Sequence, residues 1–426
     1  LSSAPVHSAL DLAVFRQDFP ALVREVDGRL PAFLDNPAGT QVPGDVIAAM
    51  HDYFVTANAN LGGAFRTSRA STALFAAAHQ AMADLLGAAS PHEIIIGQNM
   101  TTLTFALSRT LGRTLREGDE IIVTNLDHDA NIAPWRALTE LGVIIRVADI
   151  HPEDCTLDME SLAAQITPRT RLLAVTHCSN LLGSLVDARA VCRLAREAGA
   201  LSFIDAVQFA PHGVIDVQAL GCDFLACSSY KFFGPHLGIL YGKREHLESL
   251  PAYKVRPADS MPPGKFETGT LNFEGCAGLL GTFAYFERVA LAAATAQDLP
   301  VPESRRERLV LALETFRQRE TGLGRKLIEG LQRIPGVRIW GITEAHRLHE
   351  RVPTVGFTLA GHHPSTIAAR LGEEGIYTWS GNNYALALTE RLGLEASGGV
   401  VRVGPAHYNT PEELDRLLTV VDDLAR

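Results

Sequence analysis

The stretch "DFLACSSYKFFGPHLGILYG", residues 223–242, sets two short apolar runs on either side of a turn that carries one lysine, Lys231. Runs of this length, bounded by Gly, Pro and Ser, read as buried strands. Residues 230–236 are all that separates them. A parallel crossover takes a dozen residues or more, so the second run is expected to be antiparallel to the first. Lys231 is either a surface lysine with a covered stem or an amine desolvated for chemistry.

Working outward, runs of the same kind recur at 93–97 ("EIIIG"), 120–125 ("EIIVTN"), 143–150 ("VIIRVADI"), 171–177 ("RLLAVTH") and 201–206 ("LSFIDA"), with helical patterns between them. This predicts an α/β fold: a seven-stranded, mostly parallel sheet with one antiparallel strand and helices on both faces. From about Phe283 the pattern becomes helix-rich and then α+β, through "VRIWG", "VPTVGFTL", "IYTWSG" and "VVRVG". It closes on "TPEELDRLLTVVDDLAR", where Thr410 caps, Pro411 takes the first helical position and Glu413 completes a capping box. The expected organisation is an N-terminal arm (1–30) packing with the small domain, a large domain (31–285) and a small C-terminal α+β domain (286–426).

The 426 residues carry a formal charge of −10, which disfavours nucleic acid or an anionic membrane as partner and favours a small molecule. No run approaches the eighteen apolar residues of a membrane span, and the first residues lack the basic start of a secretory signal, so a cytoplasmic protein is expected. The six cysteines form no C-x-x-C pair, so reduced, buried thiols are expected and no zinc site.

Polar residues cluster just after the predicted strands: "GQNMTT" (97–102), "LDHDAN" (126–131), "HCSNLLG" (177–183), "DAVQ" (205–208) and "SSYK" (228–231). That edge is where open α/β sheets bind ligands. Asp127, His128 and Asp129 lack the further ligands that a metal centre needs. Asp205 ends an apolar strand, where a bare carboxylate costs several kcal/mol without a cation. A protonated heterocycle is a suitable cation, a helix start at Met100 suits a phosphate, and a lysine suits an aldehyde. Together these describe pyridoxal 5'-phosphate.

In order along the chain, "FLDNPAGTQVP", "HDANIAPW", "HCSNLLG", "DAVQ", "SSYKFFGPHLG", "FETGTLN" and "VRVGPAHYNTPEELDRL" resemble the class V aminotransferase family of fold-type I pyridoxal-phosphate enzymes, in particular the cysteine desulfurases. The resemblance implies that Lys231 bonds the cofactor aldehyde and shuttles the α-proton, Asp205 holds the ring nitrogen protonated, Gln208 binds the ring hydroxyl and His128 stacks on the ring. It further implies a phosphate site from Met100, Thr101, Ser228 and Tyr230, completed by Thr270 of the neighbouring subunit, so a homodimer with shared active sites. Arg402 and Asn180 would take the substrate α-carboxylate.

The sequence also departs from the desulfurases. Where their loop carries a cysteine, "WSGNNYALAL" (379–388) has Tyr384, and none of the six cysteines lies between Gly372 and Arg402. A histidine-bearing loop is replaced by "NANLGGAFRTS" (58–68), in which Arg66 offers an anion contact. The expectation is an aminotransferase acting on an α-amino acid, with Arg66 and Tyr384 as substrate contacts. A β-lyase (C–S lyase), an epimerase, a true cysteine desulfurase and a non-catalytic scaffold are the alternatives.

Overall fold

The computed structural model describes residue 10 and residues 12–426. Residues 1–9 and 11 of the expected N-terminal arm lie outside the described residues. Seven strands form the main sheet: β1 (Ile94–Gly97), β2 (Glu120–Thr124), β3 (Ile144–Ala148), β4 (Thr170–Thr176), β5 (Leu201–Asp205), β6 (Phe224–Ser228) and β7 (Gly238–Gly242). Their order is β1-β7-β6-β5-β4-β2-β3. The strand after the lysine turn, β7, runs antiparallel to both its neighbours, as the short connection requires, and the other pairs are parallel.

Alternation along the strands feeds two cores. Ile95, Ile121, Leu172, Phe203, Phe224 and Leu240 pack on one face, while Ile96, Ile122, Leu173, Ile204, Leu225 and Ile239 pack on the other. Both faces are therefore apolar, which is why each strand reads as a continuous hydrophobic run. The flanking helices include α1 (Gly44–Thr56), α2 (Arg66–Leu86), α3 (Met100–Gly112), α4 (Ala188–Glu197) and α5 (Phe273–Ala296). Helix α5 runs unbroken across position 285. Contrary to the sequence expectation, α5 is long and apolar enough to cross a membrane by length and composition, but 67% of that window is buried inside the fold. It serves as a central core helix, with Phe283, Phe286 and Val289 at most 2% exposed.

Helix α6 (Arg305–Gln332) leads into a four-stranded sheet of β8 (Val337–Trp340), β9 (Val355–Leu359), β10 (Trp379–Gly381) and β11 (Val400–Val403), ordered β8-β9-β11-β10. Helices α7 (Pro364–Glu373) and α8 (Leu386–Arg391) precede the last helix, α9 (Pro411–Ala425). Helix α9 begins with the expected capping box of Thr410 and Glu413. Val401 and Val403 of β11 enter this sheet's own core with Phe357 and Leu414. The two-residue period turns Arg402 the other way, toward the main sheet.

The two sheets are tied together by polar contacts between distant segments. Arg351, 7% exposed, donates to the carbonyls of Leu182 (2.8 Å) and Thr354 (2.6 Å) and also contacts that of Ile342. Near the N-terminus, Arg16 pairs with Glu413 at 2.6 Å, and Ala32–Phe33 pairs in parallel with Ile376–Tyr377.

Candidate active site

The strand ends gather the polar clusters around two adjoining cavities. A smaller one of about 70 Å³ is lined by Met100, Cys178, Asp205, Gln208 and Ser228. A larger one of about 890 Å³ includes Asp129, Trp379, Tyr384 and Arg402. Thr101, His128, Asn180, Tyr230 and Lys231 line both, so the two spaces meet at the lysine.

Lys231 is 8% exposed. Its Nζ donates to the carbonyl of Pro37, 194 residues away in sequence, and lies 5.2 Å from the centre of the Tyr230 ring. Burial, then repulsion from the Arg402 guanidinium, pulls the ammonium down to about 7, with Asp205 acting in the opposite sense. An uncharged amine is thus accessible near neutrality. Two residues on, Phe233 takes a left-handed backbone (φ 70), an arrangement that costs roughly 1–3 kcal/mol in a bulky residue. Its ring is fully buried, 4.6 Å from His407 and 5.8 Å from Phe316. Burying such a ring contributes about 1.5–3 kcal/mol, which offsets the strain and fixes the lysine turn.

The residues lining the smaller cavity match the chemical groups of pyridoxal phosphate. Asp205 is buried at its floor, where Oδ1 accepts from the Val207 amide at 2.9 Å; burial pushes the carboxyl up to about 6, against that hydrogen bond and the pull of Lys231. No ion-pair partner reaches it among the described residues, so a ring N–H⁺ supplies what this carboxylate lacks. Gln208 donates to Thr354 Oγ1 at 3.0 Å, while its Oε1 is buried without a partner. At the other end Asn99 caps α3 by accepting from the Thr102 amide at 2.8 Å, leaving the Met100 and Thr101 amides at the open N-terminal turn beside Ser228. Such a turn suits a phosphate dianion. A side chain at Gly238 would collide with the Asn99 backbone, so glycine is required where β7 passes this turn.

His128 is a neutral plate between the two cavities. Its Nδ1 accepts from the Ala130 amide at 2.9 Å, and burial, with the nearby charges of Lys231 and Arg402, drives it down to about 3. The turn that holds it is braced by Asp127, whose carboxylate accepts from Thr124 Oγ1 (2.5 Å) and Asn131 Nδ2 (2.8 Å). Burial, first of all, pushes Asp127 up to about 8, so it is a structural acid. Among the described residues no group of three or more His, Cys, Asp or Glu side chains is placed to hold a metal.

The wall of the larger cavity is the 379–388 segment. Asn383 and Tyr384 are both left-handed (φ 49 and 61). The Tyr384 carbonyl accepts from the Asp129 amide at 2.7 Å, its ring stacks on His128 at 5.4 Å and 22°, and Asn180 Nδ2 donates to the Asn383 carbonyl at 2.8 Å. Arg402 donates to the Asn180 carbonyl at 3.0 Å, and its Nε is buried without a partner. Burial lowers this guanidinium to about 10, with Asp35 and Tyr230 opposing, so it stays charged. Lys231, Asp205, His128, Gln208, Met100, Thr101, Ser228, Tyr230, Asn180, Arg402 and Tyr384 are therefore brought together.

Arg66 and Thr270 are not. Arg66 is the first residue of α2 and lines neither cavity. The loop before it closes on itself, with Gly63 N donating to Ser68 Oγ at 2.7 Å and Arg69 to the Ala64 carbonyl at 2.7 Å, which leaves Arg66 facing outward. The expected substrate contact is thus not made within one chain. Thr270 lines a separate cavity of about 540 Å³ with Gln98 and Thr102. All six cysteines are buried, and none lines the larger cavity. Cys178 reaches the smaller one beside Asp205, where burial pushes its thiol far above the usual range. The Pro37 carbonyl, the Asp127 brace and the Thr354 hydroxyl are site features that the sequence reading missed.

Known proteins are similar to this chain over nearly its whole length. The family model described as Aminotransferase class-V matches residues 32–310 and 308–417. A probable cysteine desulfurase of Xylella fastidiosa (strain 9a5c) is 35% identical over 436 aligned positions, covering 99% of this chain and 97% of that protein. An aminotransferase-like protein, FGM3, of Gibberella zeae is 33% identical over 97% of this chain and 98% of its own length. Among solved structures, the apo cysteine desulfurase of Thermococcus onnurineus NA1 superposes with a TM-score of 0.85 at 27% identity, covering 99% of both chains.

Proposed function

This chain belongs to the class V aminotransferase family, whose members depend on pyridoxal phosphate, and on that premise we propose that it is an aminotransferase acting on an α-amino acid. One observation carries the reading. The lysine, the buried acid and the guanidinium of an amino-acid site converge on one pair of cavities, yet none of the six cysteines lines the larger cavity.

When bound, pyridoxal phosphate supplies an aldehyde that condenses with amines and a protonated ring that withdraws electrons from the substrate Cα. The chain's own residues do the rest. Lys231, held near neutrality by burial, presents an uncharged Nζ that takes the proton from Cα and returns it. Asp205 keeps its negative charge against the ring nitrogen. Arg402 orients the substrate through its carboxylate, a pairing that suits a planar two-pronged donor. His128, neutral and acting as an acceptor at Nδ1, serves as a flat packing surface and excludes water.

A second reading, C–S cleavage of a cysteine-like substrate, is favoured by the desulfurase name of the 35% identical Xylella relative. The holoenzyme is tested with a panel of ¹⁵N-labelled amino acids and 2-keto acids. Transfer of the label to the acceptor, with stoichiometric keto acid, is the expected result. Release of sulfide or ammonia without transfer would favour the lyase reading. Rapid persulfide on Cys178 or Cys276, seen by mass spectrometry, would restore the desulfurase.

We also propose that the active form is a homodimer. Ile47, Phe54, Val55 and Phe65 are 51–70% exposed around α1 and the start of α2, a surface suited to a second copy, and Thr270 and Arg66 both lie away from their own chain's lysine. Full cofactor occupancy in a stable monomer, by light scattering with absorbance, would exclude it.

A further inference from the structure

The larger cavity is electrically two-ended. Its deep end holds both of its cations, Lys231 and Arg402. Arg402 is 5% exposed with Nε unpartnered, and Asn180 beside it is 7% exposed with Oδ1 unpartnered. Two unsatisfied buried groups on one cavity wall mark a place built for a polar ligand. The only carboxylates lining the cavity are Asp129 and Glu395. Neither is among the acids that act on the two cations: those are Asp205 for Lys231 and Asp35 for Arg402. Among the described residues the carboxylate of Asp129 has no hydrogen-bond or ion-pair partner, and Glu395 meets only the neutral Thr389 hydroxyl and the Asn382 side-chain amide.

Aromatic rings stand at the open end of the cavity. Trp379 and Tyr384 line the same cavity and are 52% and 72% exposed, so both rings present surface at its mouth although Tyr384 also stacks on His128. Aromatic faces with carboxylates and no cation attract a positive group, through the ring quadrupole and through charge. Beyond Lys231 and Arg402 no lysine or arginine among the described residues lines the cavity to pair with a second anionic group.

Resting on the amino-acid reading above, we propose that the substrate is an α-amino acid with a cationic side chain: its α-carboxylate meets Arg402, and its distal ammonium or guanidinium lies between the Trp379 and Tyr384 rings at Asp129 and Glu395. Such a substrate completes both ends at once. A dicarboxylic amino acid would place its second charge against two acids. A small neutral one would leave the aromatic walls wet.

The holoenzyme is titrated with L-arginine, with L-citrulline as its uncharged isostere, and with L-glutamate, reading the cofactor absorption band and the part of the tryptophan fluorescence that Trp379→Ala removes as binding signals separate from turnover. Arginine is expected to bind about tenfold more tightly than citrulline, the size of one cation–π contact and one partly exposed ion pair, and glutamate weakest. In the double variant Asp129→Asn, Glu395→Gln the arginine-to-citrulline ratio should fall toward one, and Trp379→Ala should lower it independently. Citrulline or glutamate binding as tightly as arginine overturns the proposal while leaving an amino-acid enzyme. Failure of every amino acid to perturb the cofactor band would instead defeat the amino-acid reading and the proposal with it.

Discussion

The floor of the site, from Asp205 to Lys231, and its outer wall, from Trp379 to Tyr384, solve opposite problems with different materials. The floor is made of strand ends whose side chains are buried: Asp205 is 4% exposed and Ser228 is 2% exposed. Each is aimed by sheet hydrogen bonds, so the chemistry sits on hydrogen-bonded strand ends. The wall is a short strand and a turn with two consecutive left-handed non-glycine residues, held by single bonds to Asp129 and Asn180. A floor of this kind fixes what is done to a substrate. A wall of this kind decides which substrate is admitted, and it can change without disturbing the floor.

That division can be broken by experiment. The largest effect is expected from Lys231→Ala, which should abolish turnover and the lysine-linked cofactor absorption, leaving at most dissociable cofactor. A lysine-linked band persisting in that variant would move the reactive amine elsewhere. Next, Asp205→Asn removes the buried charge that matches a protonated ring, and a loss of about a hundredfold in kcat is expected, the size of one preorganised electrostatic group. Exchange of the substrate α-proton at the parental rate would break the assignment.

A smaller effect is set by pH. Because Lys231 is lowered to about 7, its amine is mostly protonated below that pH and mostly free above it. Cofactor uptake by the apo protein should therefore rise about tenfold per unit up to neutrality and level off beyond. A climb continuing toward the ordinary lysine range would show the amine to be solvated. The smallest effect belongs to the wall. Tyr384→Ala should alter substrate KM by a few-fold, the scale of one stacking contact of about 0.5–1.5 kcal/mol, with full cofactor occupancy by absorbance. Loss of cofactor in that variant would join wall to floor and sink the comparison.

The same division explains what was legible in the sequence. The main-sheet strands were readable because both faces are buried and each run is apolar along its length. Lys231 and Asp205 stood out because a charged group at the end of such a run is costly. The carbonyl of Pro37 against Lys231 was invisible, since backbone atoms leave no mark in a sequence and the contact spans 194 positions. Arg66 misled for a related reason: its residue type suits an anion, but local hydrogen bonds from the Gly63 amide to Ser68 and from Arg69 to the Ala64 carbonyl hold its loop away from the site. The stacking of Tyr384 on His128 goes with positive φ angles in Asn383 and Tyr384; asparagine is at home in that region, but nothing in the residue type of Tyr384 announces it. Helix α5, apolar enough to span a bilayer and yet mostly buried, shows the limit of composition alone.

The pairing of Gly238 with Gly97 on one side and Ser228 on the other also carries a consequence in time. Strand β1 leads directly into the turn of α3 whose free amides suit a phosphate, but its neighbour in the sheet is β7, made about 140 residues later. While the ribosome is still extending the chain, that cradle therefore has no supporting strand until residue 242 has emerged. Arg402 comes later still. The newborn polypeptide passes most of its synthesis without a finished place for its cofactor, and the lysine arrives in the same stretch of chain that completes the cradle.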